Sequence, residues 1–247
     1  FDEFGNLVEA ISAGRLEARV FDLLRHLNQA HRGVRMLFCA SDEMLDLLAQ
    51  QPVQHGLNSA LSLALGLLAD DESWKLIQDG AISVGVYLDP AAISTLVRVA
   101  GGHPFYIQHL CHDLMFHLGE RGRRTATRTD VERVIERRVQ ESSGIEFRHL
   151  WRQEDTEEFL ILQALSHPQL SQPVTAAELV RFLERAGMPP LPLAKVEAVL
   201  ERFHKRLACA RHRTRVGTDR YQIHVELFRR WFAYYYPFSQ NTPVATG

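Results

Sequence analysis

Between Val8 and Gln29 the apolar residues Val8, Ile11, Leu16, Val20, Leu23, Leu24 and Leu27 recur at helical spacing and predict one amphipathic helix. The next apolar run, Val34 to Cys39, predicts a short buried strand. It ends in Ala40-Ser41-Asp42, where Ser41 or Asp42 is suited to cap a helix beginning at Glu43. Helix, strand and helix in this order form an α/β crossover pattern. Asn58 to Gln78 then reads as helical with a break near Ala69-Asp70-Asp71, and Ile82 to Tyr87 as another short strand. Asp89-Pro90 starts a helix with Pro in its first turn that runs to Val99. Gly101-Gly102 stops it, and His103-Pro104 opens the next, Phe105 to Leu118. Gly119 to Arg128 is a polar, Arg-rich linker, and Thr129-Asp130 caps a charged helix through Gln140.

The pattern changes after Thr156. Helices are predicted over Thr156 to Ser166, Thr175 to Ala186 behind a Thr cap, and Ala194 to Leu207, with the Pro-rich turn Met188 to Pro192 before the last. Two strands follow, Ala208 to Val216 and Arg220 to Val225, joined by Gly217-Thr218-Asp219, and Leu227 to Tyr235 closes the series. Three helices and a hairpin in this order predict a winged helix-turn-helix.

Composition narrows the class. With 46% hydrophobic and 23% charged residues in 247, the chain has the balance of a globular protein, which excludes disordered and fibrous classes. No apolar run approaches the ~18 to 20 residues of a membrane span, and no leader with a cleavage site is present, so the expectation is a cytoplasmic protein with no membrane partner. Cys39, Cys111 and Cys209 are odd in number and far apart, which supports neither a disulfide framework nor a CxxC zinc site. The net charge of -2 conceals a division: residues 1–90 hold 6 Lys/Arg against 13 Asp/Glu, the remainder 22 against 17. The back half is the basic half, and it leaves room for an anionic partner.

Asp2-Glu3, directly after an apolar residue, has the chemistry of a Walker B element, with Asp2 placed to hold a Mg²⁺ shell and Glu3 to orient or deprotonate water. The competing reading is two solvated carboxylates at a helix start. Ser41 falls where such enzymes place a polar sensor at a neighbouring strand tip, with a plain helix cap as its alternative.

The runs FDEFGNL, FDLLRHLNQAHRGVRMLFCASDEMLDLL and DPAAISTLVRVAGGHPFYIQHLCHDLM resemble the second half of a STAND-type P-loop ATPase, the AAA-related class of signalling ATPases. The resemblance implies an α/β partial P-loop NTPase sheet of Walker B and sensor strands, a mainly α helical lid, and a C-terminal winged helix. It divides the chain into core (1–90), lid (91–142), linker (143–155), winged helix (156–238) and tail (239–247). It also implies ATP or ADP and Mg²⁺ as cofactors, with Asp2 at the metal and Glu3 and Ser41 as catalytic groups. Gly102, His103 and Pro104 belong to a motif similar to the lid motif whose Pro packs on adenine. Tyr221 to Trp231 resembles the end of the winged helix in these switches, where a Met-His-Asp motif places its His on the β-phosphate of ADP. Here Ile223-His224-Val225 keeps the His and lacks the Asp.

No GxxxxGK[ST] loop occurs, and none of the three lysines, Lys75, Lys195 and Lys205, follows a Gly-rich turn. The opening Phe1, in place of Met, fits an excerpt whose P-loop segment precedes it. The implied partners are that segment, an effector or sensor domain of the same protein, and further copies of the chain on activation. A different function class is a DNA-binding winged helix regulated by an ATPase, as in origin-recognition proteins; a third is a degenerate ATPase scaffold. Arg202, Lys205, Arg206, Arg211, Arg213 and Arg215 are placed for phosphate contacts. Glu197 and Glu201 on the same helix disfavour DNA.

Overall fold

The computed structural model describes residues 4–30, 33, 35–39, 61, 63, 65–151 and 155–238. The chain divides into two units, residues 1–65 and 66–247. In the first, the expected single helix is two: α1 (Phe4–Ser12) and α2 (Val20–Ala30). Gly14 breaks the run at φ +68°, a left-handed conformation that residues with a Cβ adopt at a cost, and the amides of Arg15 and Leu16 both return to the Ala10 carbonyl. The apolar period survives the break because Phe4, Val8, Phe21 and Leu24 close into one small core. Phe4 meets Phe21 edge-on at 5.9 Å between centroids.

Residues 35–39, expected as a buried strand, form none, and Leu37 is 75% exposed. A buried strand needs ladder partners; the Phe4 amide donates to the Cys39 carbonyl at 3.0 Å, within this unit. The pair Asp2-Glu3 expected as Walker B, Ser41 expected as a sensor, and the helix expected from Glu43 lie outside the described residues.

The second unit begins by correcting the register of the expected helix and strand. Residues 65–69 are not helical, and α3 (Asp70–Ser83) starts where Glu72 accepts from the Ala69 amide at 2.9 Å. It runs through the start of the expected strand, leaving β1 (Tyr87–Leu88). β1 pairs in parallel with β2 (Thr125–Ala126), which lies inside the expected linker. Between them stand α4 (Pro90–Ala100), capped by Asp89 accepting from the Ala92 amide at 2.6 Å, and α5 (Pro104–Gly119).

Helix α6 (Arg128–Glu141) is capped by Thr127, two residues ahead of the expected Thr129-Asp130. Asp130 is instead the third helical residue, reaching back to the Thr127 amide at 2.9 Å and hydroxyl at 2.8 Å while Arg123 grips it at 2.7 Å and 3.0 Å. These bonds and that charge outweigh burial and hold its carboxyl well below the usual range.

A short turn of 3₁₀ helix (Ile145–Phe147) leads to α7 (Thr156–Ser166), α8 (Ala176–Arg185), α9 (Leu193–Lys205), the antiparallel hairpin β3 (Cys209–Arg213) and β4 (Asp219–Ile223), and α10 (Glu226–Tyr235). Asp155 caps α7 by accepting from the Glu157 and Glu158 amides, and Thr175 and Glu178 form a reciprocal box at the start of α8. Val174 bridges Tyr221 and adds one rung beside the hairpin.

One apolar core runs from Ile77 to Phe232, so α3 to α6 and the helices and hairpin that follow are built on a shared interior. α10 packs on α4, α6, α7 and β4. No helix among the described residues is long and apolar enough to cross a membrane.

Candidate functional site

Where α3, α4 and the start of α10 converge, a cleft of about 530 Å³ is lined by Leu68, Asp70, Trp74, Ser94, Val97, Arg98, Gly101, Gly102 and His224. Its floor is set by two glycines. Gly101 ends α4 at φ +58° and Gly102 follows at φ +70°. A Cβ on Gly101 would lie 2.5 Å from the His224 carbonyl oxygen, and one on Gly102 2.3 Å from that of Leu68. The turn is therefore clamped between two backbones, with the Leu68 amide donating to the Gly102 carbonyl at 2.9 Å. Only glycine fits both positions of this tight turn.

His224 leaves β4 with its amide on the Ala208 carbonyl at 2.9 Å, and its ring lies against the Gly101 backbone. Burial lowers its pKa. Thus two of the four expected ligand positions, Gly102 and His224, are brought into one cleft although 122 residues separate them in the chain. His103 and Pro104 open α5 beside the cleft without lining it. The His103 ring packs on Tyr106 at 4.8 Å and near His149 at 5.7 Å, and its buried Nδ1 has no hydrogen-bond partner. Burial, then the neighbouring His149 and His224, push its pKa down to about 4.

The cleft also contains groups the sequence reading did not single out. Trp74 offers an aromatic face, Arg98 a guanidinium, and Asp70 a carboxylate in the first turn of α3. Arg98 Nη2 stands 3.7 Å from Glu132 on α6, and the other oxygen of Glu132 accepts from Arg230 on α10 at 2.9 Å. Helical position alone gave no signal for these, because each becomes a site residue only once helices distant in sequence meet.

The volume lies within the range of small-molecule pockets, about 300 to 1,000 Å³, which combine apolar walls with a few polar groups. Among the described residues no group of His, Cys, Asp and Glu suits a metal. A Mg²⁺ requirement would fall to Asp2, outside them.

The basic residues of α9 and the hairpin are largely committed to partners within the chain. Glu158, fully buried, holds Arg206 at 2.8 Å and Arg202 at 3.0 Å; Arg202 also reaches Asp155 at 3.1 Å, and Arg211 pairs with Glu201 at 2.8 Å. Arg213 stands 3.9 Å from Asp219 but is mostly exposed. The helix face expected to meet phosphates is thus partly an internal ion network.

No family model matches the sequence, and the search of curated proteins finds no match. Among solved structures, the chain is similar to a variant of RuvB from Thermotoga maritima, at 18% identity and a TM-score of 0.47, over 89% of this chain and 65% of that one. It is similar to the ORC2 protein of Aeropyrum pernix, solved as ADPNP-ADP complexes, at 13% identity and a TM-score of 0.46, over 95% of this chain and 64% of that one. A third likeness is to the Thermotoga maritima RuvB Holliday junction branch migration motor, at 18% identity and a TM-score of 0.35, over 67% and 51%. The chain spans less than two thirds of each of these structures.

Proposed function

We propose that this chain is the part of a STAND-type regulatory ATPase that runs from Walker B through the lid to the end of the winged helix, and that the cleft beside Gly101 and Gly102 receives ADP or ATP. The carrying observation is that His224, at the joint between the hairpin and α10, lines the same cleft as the end of α4 and lies against its backbone. A ligand at this point touches the lid and the winged helix together, which is what a nucleotide-dependent switch requires. In this reading the base lies with Trp74, Leu68 and Val97, and the phosphates with Arg98 and His224. In this reading a P-loop segment completes the triphosphate site, Asp2 serves Mg²⁺, Glu3 and Ser41 serve hydrolysis, and an effector or sensor domain takes the output. The origin-recognition-like alternative ranks second, since Arg202, Arg206 and Arg211 are held by carboxylates of their own chain.

The test is ADP titration by calorimetry into the protein with its P-loop segment present. A charge-assisted hydrogen bond contributes ~1.5 to 3 kcal/mol, so His224→Ala should weaken ADP about tenfold or more with the nucleotide-free melting temperature little changed. Equal affinity with a lower melting temperature would make His224 a packing residue and remove the reading's main support.

A further inference from the structure

The cleft is connected to α10 by an ion relay. Arg98, half exposed on the cleft wall, stands 3.7 Å from Glu132 Oε1. Glu132 Oε2 takes Arg230 Nη1 at 2.9 Å, Arg230 Nε takes Glu226 Oε1 at 3.1 Å, and Glu226 holds Arg229 at 2.5 Å and 2.7 Å. Arg229 then donates to the Ser166 carbonyl at the end of α7, at 3.2 Å. The Arg98 pair is long and solvated, whereas those at Arg230 and Glu226 are shorter and more buried. The weak member is the one that faces the cleft. Exposed long pairs are easily exchanged for a better anion, while short, partly desolvated ones persist.

We propose that Arg98 is the residue that reads a phosphate group in the cleft, and that Glu132, shared between Arg98 and Arg230, transmits its occupancy to α10. A phosphate oxygen entering on the Arg98 side competes with Glu132 for the guanidinium, since Arg is suited to planar, multi-donor recognition of phosphate. Glu132 is thereby left to Arg230 alone, and α10 is held more firmly against α6. Asp70, a carboxylate that also lines the cleft, disfavours an anion beside it. Arg98 would be a specificity residue and Glu132 a positioning residue. The inference rests on the cleft being a nucleotide site, and goes beyond it by naming the phosphate contact and its route to the winged helix.

The experiment measures ADP affinity by calorimetry and amide exchange in α10 with and without ADP, again with the P-loop segment present. In the wild type ADP should slow exchange in α10. Arg98→Gln should bind ADP about tenfold more weakly and lose that response, and Arg98→Lys should recover part of the affinity. Glu132→Gln is the discriminating variant: it removes the competing charge, so ADP should bind a few-fold more tightly while α10 no longer responds. A merely structural Glu132 would leave affinity unchanged or lower it. Unchanged affinity in Arg98→Gln, or a wild-type α10 response in Glu132→Gln, overturns the relay while leaving the nucleotide site intact. Absence of ADP binding to the wild type overturns the site itself, and the relay with it.

Discussion

Gly144, at the joint between α6 and the short 3₁₀ turn, has φ +78°, and a Cβ built on it would lie 2.1 Å from Cζ2 and 2.6 Å from Cη2 of Trp231. Gly144→Ala therefore imposes two separable costs. A left-handed conformation in a residue with a Cβ costs about 1 to 2 kcal/mol. The indole must also withdraw by more than an ångström, which strains its bond from Nε1 to the Ser142 carbonyl, 3.2 Å, and its packing on Phe147 at 5.1 Å. Losing that bond costs about 1 kcal/mol, and forcing atoms into a filled core about 1 to 3 kcal/mol more. The total is about 3 to 6 kcal/mol. Urea unfolding followed by tryptophan fluorescence suits the measurement, because Trp74, Trp151 and Trp231 all lie in the second unit. Gly187→Ala supplies the control: φ is +72°, but nothing lies within 4 Å of the added carbon, so only the backbone cost applies. Equal losses in the two variants would refute the argument that Trp231 is wedged against Gly144.

Acid should loosen the second unit through its histidines. His103 has its pKa pushed down to about 4 against an ordinary 6.5, so the folded state favours the neutral ring; the stability this gives is complete above pH 6.5 and is lost as pH falls from there toward 4. Allowing for partial solvent screening, about 1 kcal/mol should disappear between pH 7 and pH 5, and His103→Phe should flatten that slope in urea titrations. Glu158→Gln should cost about 1.5 to 3 kcal/mol, because it takes a charged acceptor from the nearly buried Arg206 and from Arg202; an unchanged urea midpoint would show that this buried carboxylate contributes nothing.

What could be read from the sequence was what is fixed locally. The helices from Pro90 onward carry their own stops and starts, such as the Asp89 cap, the left-handed Gly101 and the Thr175-Glu178 box, and their ends fall within a few residues of the expectation. Thr127 was passed over because Thr129-Asp130 looks equally like a cap until Arg123 is seen on Asp130. The strand expected over Ile82 to Tyr87 failed for a longer-range reason: the ladder that defines β1 comes from Thr125-Ala126, across two intervening helices. Of the site, Gly102 and His224 were legible as motif positions. Trp74, Arg98 and Glu132 were not, because on single helices they look like ordinary residues of an amphipathic surface.

The placement of α10 also dictates when this interior is able to close during synthesis. Phe228, Trp231 and Phe232 fill the space between α4, α6 and α7, so the core begun by Leu96 lacks a wall until the last described helix has left the ribosome. At about 5 to 20 residues per second, the roughly 140 residues from Ala92 to Phe232 take on the order of 7 to 28 seconds to appear. Throughout that interval the apolar faces of α4 and α6 stand open to chaperones and to like chains, and a release factor arriving early would leave them so.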